Sequence, residues 1–179
     1  MMKQIKNPEC LFDTIECRIQ FAKCREEAII PTKRVNDAGF DLYGVFDNCN
    51  KYIIPPNQTL MIPTGLKSII DEGYYVQIQE RGSTGSKGIK YGAGVIDSNY
   101  RGEWFLAVTN CNPLPLVICN EKDMQKYIDV CYVVYPIEKA LFQGIVHKVP
   151  STFIQEVDLS VIENDQTERG EGKLGSSNK

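Results

Sequence analysis

The chain has 179 residues, 42% of them hydrophobic and 24% charged, with a net charge of −3. That length suits one domain with a real core, and the slight negative charge argues against a generally nucleic-acid-binding surface. No run approaches the ~18 apolar residues of a membrane span, and "MMKQIKNPECLFD" lacks the apolar core of a signal peptide, so a cytoplasmic or otherwise intracellular protein is expected.

Short strands dominate the reading. "CRIQF" (17–21) alternates Cys17, Ile19 and Phe21 against Arg18 and Gln20. "YVQIQ" (75–79) puts Val76 and Ile78 on one face and glutamines on the other. "GAGVIDSNYRGEW" (92–104) reads as a β-hairpin with an acid and a phenol around its bend. "WFLAVTN" (104–110), "VCYVVY" (130–135) and "ALFQGIVHKV" (140–149) are rich in β-branched and aromatic residues. Pro and Gly punctuate the intervals at 55–57, 63–65, 72–73, 113 and 115. The one helical candidate, "EKDMQKYI" (121–128), reads equally as a loop. Many short strands with frequent turns indicate a β-sandwich or barrel. The stretch 163–179 has no aromatic residue and is dense in Gly, Ser and charge. It reads as a disordered tail, or as an arm whose glycines and Arg169 close over a phosphate.

The seven cysteines include no C-x-x-C pair, and His147 is the sole histidine. No zinc ligand set is recognisable, and a Ser-His or Cys-His nucleophile is disfavoured. The cysteines read as reduced structural thiols.

Three clusters carry possible chemistry. "ERGSTGSKG" (80–88) offers Arg81, Ser83 and backbone amides as a phosphate cradle, although it lacks Walker spacing and also reads as a hydrophilic turn. "DAGFDLYG" (37–44) sets Asp41 between Phe40 and Leu42, where an acid is either ion-paired or turned toward a cation. In "GAGVIDSNYRGEW", Asp97 can take a proton from water, Tyr100 can lie against a sugar, and the backbone around Gly94 can read a pyrimidine edge.

Together these stretches resemble the five ordered motifs of the homotrimeric dUTPases. "DAGFDLYG" resembles the first, "RGSTGSKG" the second, "GAGVIDSNYRG" the third, "KALFQGIV" (139–146) the fourth and "RGEGKLGSS" (169–177) the fifth. The resemblance implies an all-β, jelly-roll-like β-barrel over residues 1–162, with an insert near 111–138 and a flexible arm at 163–179. It also implies a homotrimer whose sites combine residues of three subunits. The implied activity is hydrolysis of dUTP to dUMP and pyrophosphate with Mg²⁺. Asp97 would be the catalytic base. Gly94, Val95, Ile96, Tyr100 and Leu174 would hold base and sugar, with Tyr100 excluding a 2′-hydroxyl. Arg81, Gly82, Ser83, Gln143, Arg169, Gly175 and Ser176 would hold phosphates, and Asp41 would reach Mg²⁺ through water.

Three departures from the family pattern stand out. Gly82 replaces a serine, Leu174 replaces the aromatic that stacks on uracil, and the chain between the third and fourth motifs is long. Two alternatives remain beside the dUTPase reading. One is a dCTP deaminase-like enzyme of the same fold. The other is a regulatory binding protein that uses the insert to hold a protein partner. Neither nucleic acid nor a membrane is expected as a partner.

Overall fold

Alternating apolar and polar residues set most of the strands, and their buried sides meet in one core. The computed structural model describes residues 16–167 and 170. β1 (Ile19–Lys23) pairs antiparallel with β5 (Leu66–Ile70). β2 (Gly39–Leu42), β12 (Phe142–Lys148), β6 (Tyr74–Glu80) and β8 (Val95–Asp97) form an antiparallel sheet in that order. β4 (Thr59–Pro63), β9 (Phe105–Asn110) and β7 (Ile89–Tyr91) form another, and β11 (Val133–Pro136), β10 (Leu116–Cys119) and β3 (Lys51–Ile54) a third. One buried cluster draws on all three of these sheets, including Phe40, Ile62, Ile78, Leu106, Ile118 and Phe142, and Ile19 and Phe21 of β1 pack against it. Fully buried Trp104 lies edge-on to Phe21 and donates its indole N–H to Ser68 Oγ at 3.1 Å. Burial of that ring with its polar atom satisfied anchors the chain between β8 and β9.

Several expectations change. The segment 92–104 is not a hairpin: β8 pairs with β6, whereas β9 pairs with β4 and β7. Its bend therefore carries the chain from one sheet to another. Within 130–135, only Val133 onward is strand, because Cys131 adopts a left-handed backbone (φ 61°) that ends the preceding turn. The helical option holds at 121–128, as a 3₁₀ turn (Glu121–Asp123) followed by one α-helical turn (Gln125–Ile128).

Those turns explain much of the long interval between the third and fourth motifs. β10 and β11 run parallel, and parallel neighbours need a crossover of a dozen or so residues. Residues 120–132 supply it, and Met124, Tyr127 and Tyr132 pack on Val117, Cys119 and Val134.

Tyr52 of β3 ties the following loop to the sheet. Its hydroxyl donates to Val45 O and accepts from Asp47 N, both at 2.9 Å. Burial, aided by the charge of nearby Cys49, pushes its phenol up to about 12. The folded state thus holds that proton more tightly than the unfolded chain, whose tyrosine titrates near about 10. Its stabilisation is complete below about pH 10 and is lost as pH rises toward 12. Urea unfolding of wild type and Tyr52→Phe should therefore differ most near pH 8 and converge above pH 10. A gap that stays constant across that window would contradict the assignment.

The compact unit spans residues up to Val149, and Pro150 begins a second unit. In the described part of the latter, Phe153 and Ile154 are exposed and a short helix covers Leu159–Asn164. Among the described residues, no helix is long and apolar enough to cross a membrane.

Candidate active site

Two separate constellations form on the sheet β2-β12-β6-β8. The first follows from the alternation in β2, where Phe40 and Leu42 are buried and Asp41 turns outward. Asp41 lies opposite Gln143 of β12, which lies opposite Gln79 of β6, so the three share one face. Gly144 beside them is required, because a Cβ there would come within 2.6 Å of the Phe40 ring. Arg81, just past the end of β6, grips Asp41 with two donors: Nε to Oδ1 at 2.8 Å and an Nη to Oδ2 at 3.1 Å. Its other Nη donates to Ser83 Oγ (3.3 Å) and Ala140 O (3.2 Å). Gln143 Nε2 donates to Glu80 O at 2.8 Å. The Asp41 carboxylate therefore fixes the guanidinium in place, with four of its five N–H donors engaged and its positive charge held at the cavity wall.

These groups line a cavity of about 750 Å³ together with the loop 32–39. That loop contributes Lys33 and Arg34, which the sequence reading passed over. Arg34 Nε bonds to Asp37 Oδ2 at 2.8 Å, and Asp37 chiefly, with Asp41 adding a smaller part, pushes its guanidinium pKa upward. The signal was present as two adjacent cations before the first motif, but a charge pair on a loop reads first as solvated surface.

The second constellation surrounds β8. Ile96 points into the core while Val95 and Asp97 stay exposed, as period-two alternation demands. Gly94 approaches β6 so closely that a Cβ would lie 2.7 Å from Ile78 Cβ, and its carbonyl accepts from Ile78 N at 2.6 Å. β8 is an edge strand in this sheet, so one row of its backbone groups remains open to pair with a base. Past Asp97 the chain turns sharply: Tyr100 N donates to Asp97 O (3.1 Å), and Arg101 donates to Ser98 O (2.6 Å) and Tyr100 O (2.9 Å). Gly94, Val95, Ile96, Asp97 and Tyr100 line a cavity of about 240 Å³ with Met61, Glu103 and Phe105.

The two cavities share no lining residue. Asp97 lies opposite Tyr75 of β6, whereas Asp41 lies across from Gln79 through Gln143. Four residues along β6 and three strand spacings across place them about 20 Å apart. A further cavity of about 970 Å³, lined in part by Arg25, Phe46 and Glu138, contains none of the residues assigned to base, sugar, phosphate or metal. Arg169, Leu174, Gly175 and Ser176 lie outside the described residues.

Residues 25–131 match the dUTPase family profile. The deoxyuridine 5′-triphosphate nucleotidohydrolase of Nautilia profundicola is 32% identical over 166 residues, covering 90% of this chain and 99% of its own. The chain belongs to the dUTPase family. Solved folds agree. A point mutant of the dUTPase of Staphylococcus bacteriophage 80alpha, solved with dUpNHpp, gives a TM-score of 0.67 at 18% identity over 89% of this chain and 98% of its own. An Asp-to-Asn mutant of the dUTPase from phage phi11 of S. aureus, described with a structural Mg(II) ion, gives 0.59 at 18% identity, over 79% and 97%. The all-β, jelly-roll-like fold expected from the sequence is the fold this dUTPase has.

One departure of this dUTPase from its family pattern now has a physical reading. A Cβ at Gly82 would meet nothing within 4 Å, and its backbone is not left-handed. Gly82→Ser should fold normally and add a hydroxyl to the cavity beside Arg81. One neutral hydrogen bond is worth ~0.5–1.5 kcal/mol, so kcat/KM should rise by roughly two- to tenfold. Steady-state kinetics with an unchanged melting temperature would bear this out, and a fall in kcat/KM would contradict it.

Proposed function

We propose that this dUTPase hydrolyses dUTP to dUMP and pyrophosphate by water attack on the α-phosphorus, with Asp97 as the base. The observation that carries this reading is the cavity in which Asp97, Tyr100 and the open edge of β8 converge. A uracil can pair with the strand's free backbone groups while the Tyr100 ring covers the deoxyribose and leaves no room for a 2′-hydroxyl. Asp97 accepts a proton from the attacking water as the new P–O bond forms. The bond from the α-phosphorus to the bridging oxygen breaks, and the pair of electrons leaves with pyrophosphate. Arg81, Ser83 and Gln143 hold the phosphates and offset their developing charge. Arg169, Gly175 and Ser176 of the arm are assigned to the terminal phosphates, and Leu174 to the uracil face.

The donor set fits a hydrated Mg²⁺ brought in on the triphosphate. No cluster of three or more His, Cys, Asp or Glu side chains occurs among the described residues, so these build no metal cage of their own. Asp41 lines the phosphate cavity with Asp37, and Mg²⁺ characteristically keeps waters while using one or two carboxylates plus phosphates. When bound, the ion would withdraw charge from the phosphate oxygens.

By strand register the Asp97 and Asp41 carboxylates of one chain lie about 20 Å apart, so the base and the acid that reaches the metal are assigned to different copies of the chain. The productive site therefore pairs the base cavity of one copy with the phosphate cavity of another, which a cyclic homotrimer provides. The six described cysteines are free thiols, which suits a reducing, intracellular compartment.

Pyrophosphate release measured across dUTP, dTTP, dCTP and UTP tests the reading. A site that pairs buried groups with the uracil edge should reject cytosine strongly, because those groups would be left unsatisfied. Equal turnover of dUTP and dCTP would sink it.

A further inference from the structure

Tyr100 is held by residues that none of the five motifs assigns to the sugar. Its ring folds back over Gly102, where a Cβ would lie 2.2 Å from the hydroxyl oxygen and 2.4 Å from Cζ. Its hydroxyl donates to the backbone oxygen of Glu103 at 3.0 Å. The ring is thus suspended from the Glu103 peptide, and its position is only as firm as that residue.

Glu103 is in turn clamped. Its carboxylate accepts from Arg25 Nε at 2.8 Å and from an Arg25 Nη at 3.2 Å, a two-point grip across 78 positions of sequence. Gly65 N donates to the same carboxylate at 2.9 Å. Gly65 has a left-handed backbone (φ 69°), and a Cβ there would strike Ala28, so that amide is fixed too. Asp47 holds the far side of Arg25 at 2.7 Å. Immediately after Glu103, Trp104 donates its backbone N–H to Leu66 O at 2.9 Å and is fully buried. The Arg25–Glu103 pair is only partly exposed, at 27% and 16% of the side chains, so water competes weakly for the grip.

We propose that Arg25 and Glu103 are positioning residues that stiffen the Tyr100 ring and so set the preference for deoxyribose over ribose. The inference rests on the reading of Tyr100 as the group that meets the sugar. Excluding one hydroxyl by contact needs a wall that does not yield, since a pocket that relaxes rejects an added hydroxyl only weakly. Releasing the clamp leaves the Asp97 carboxylate and the phosphate cavity in place but lets the ring shift. The effect should therefore fall on selectivity rather than on the rate with the proper substrate.

Arg25→Met is the variant of choice, because it keeps the stem and leaves the Gly65 bond to Glu103 intact. Its kcat on dUTP should stay within about threefold of wild type, while the ratio of kcat/KM for dUTP over UTP should fall about tenfold, mainly through a lower KM for UTP. Arg25→Lys, which keeps one charged contact, should give an intermediate ratio. A ratio within twofold of wild type in Arg25→Met overturns the proposal, as does an equal loss on both substrates, which would mark the pair as merely structural. Tyr100→Ala separates the inference from its premise. If Tyr100→Ala collapses the ratio and Arg25→Met does not, the clamp fails and the role of Tyr100 stands. If Tyr100→Ala leaves the ratio intact, the premise is wrong and the proposal falls with it.

Discussion

Asp97→Asn is expected to lower dUTP turnover by a factor of about 10²–10⁴ while leaving dUTP affinity near wild type. Asparagine preserves the volume and the strand position at the end of β8, but its amide cannot take a proton from water. Asp97 is exposed on that strand, and no described side chain hydrogen-bonds to its carboxylate. Removing its charge therefore leaves no buried partner unsatisfied, and the melting temperature should be nearly unchanged. Single-turnover pyrophosphate release, paired with equilibrium binding of a non-hydrolysable dUTP analogue, reads the two quantities separately. Retention of more than a third of wild-type turnover would show that another group is the base. A fall in binding that matches the fall in rate would make Asp97 a ligand for the nucleotide instead.

What the sequence made legible was local. Asp41, Arg81, Ser83 and Gln143 were recognisable from their motifs, and they do share one cavity. Gly94, Val95, Ile96, Asp97 and Tyr100 formed a second recognisable set, and they share another. The distance between the sets was not legible, because it depends on strand order in the sheet and not on spacing along the chain. For the same reason 92–104 looked like a hairpin: two apolar runs around a turn do not reveal that their partners are β6 on one side and β4 and β7 on the other. β10 went unread because it is buried on both faces, between the core and the crossover, and so shows no alternation after Pro115. Arg25 and Glu103 carried no pattern either, since an ion pair spanning 78 positions is a product of tertiary structure alone. Gly82 shows the converse case. Its departure from the motif was plain in the sequence, but only the open space around it shows that a serine would fit.

Mixing two inactive variants should restore activity. Arg81→Ala keeps Asp97 and loses the arginine fork, while Asp97→Asn keeps the fork and loses the base. Each variant alone should turn over dUTP at about 1% of wild type or less, since arginine and base act on the same transition state. If every site draws its base from one chain and its phosphate cavity from another, random assembly of equal amounts makes about a quarter of the sites wild type in both halves. Activity per site should then recover to about a quarter of wild type, more than tenfold above either parent. The mirror-image mixture sharpens the reading. Wild type assembled with equal amounts of the doubly substituted chain should show about a quarter of wild-type activity if sites are shared, and about a half if each chain is self-sufficient. Arg81→Ala is suited to this test because its partner Asp41 is 40% exposed and can be solvated when the arginine is gone. Subunit exchange is verified by native mass spectrometry with one variant isotopically labelled. Exchange without recovery would mean that base and arginine come from the same chain rather than from two chains across an interface.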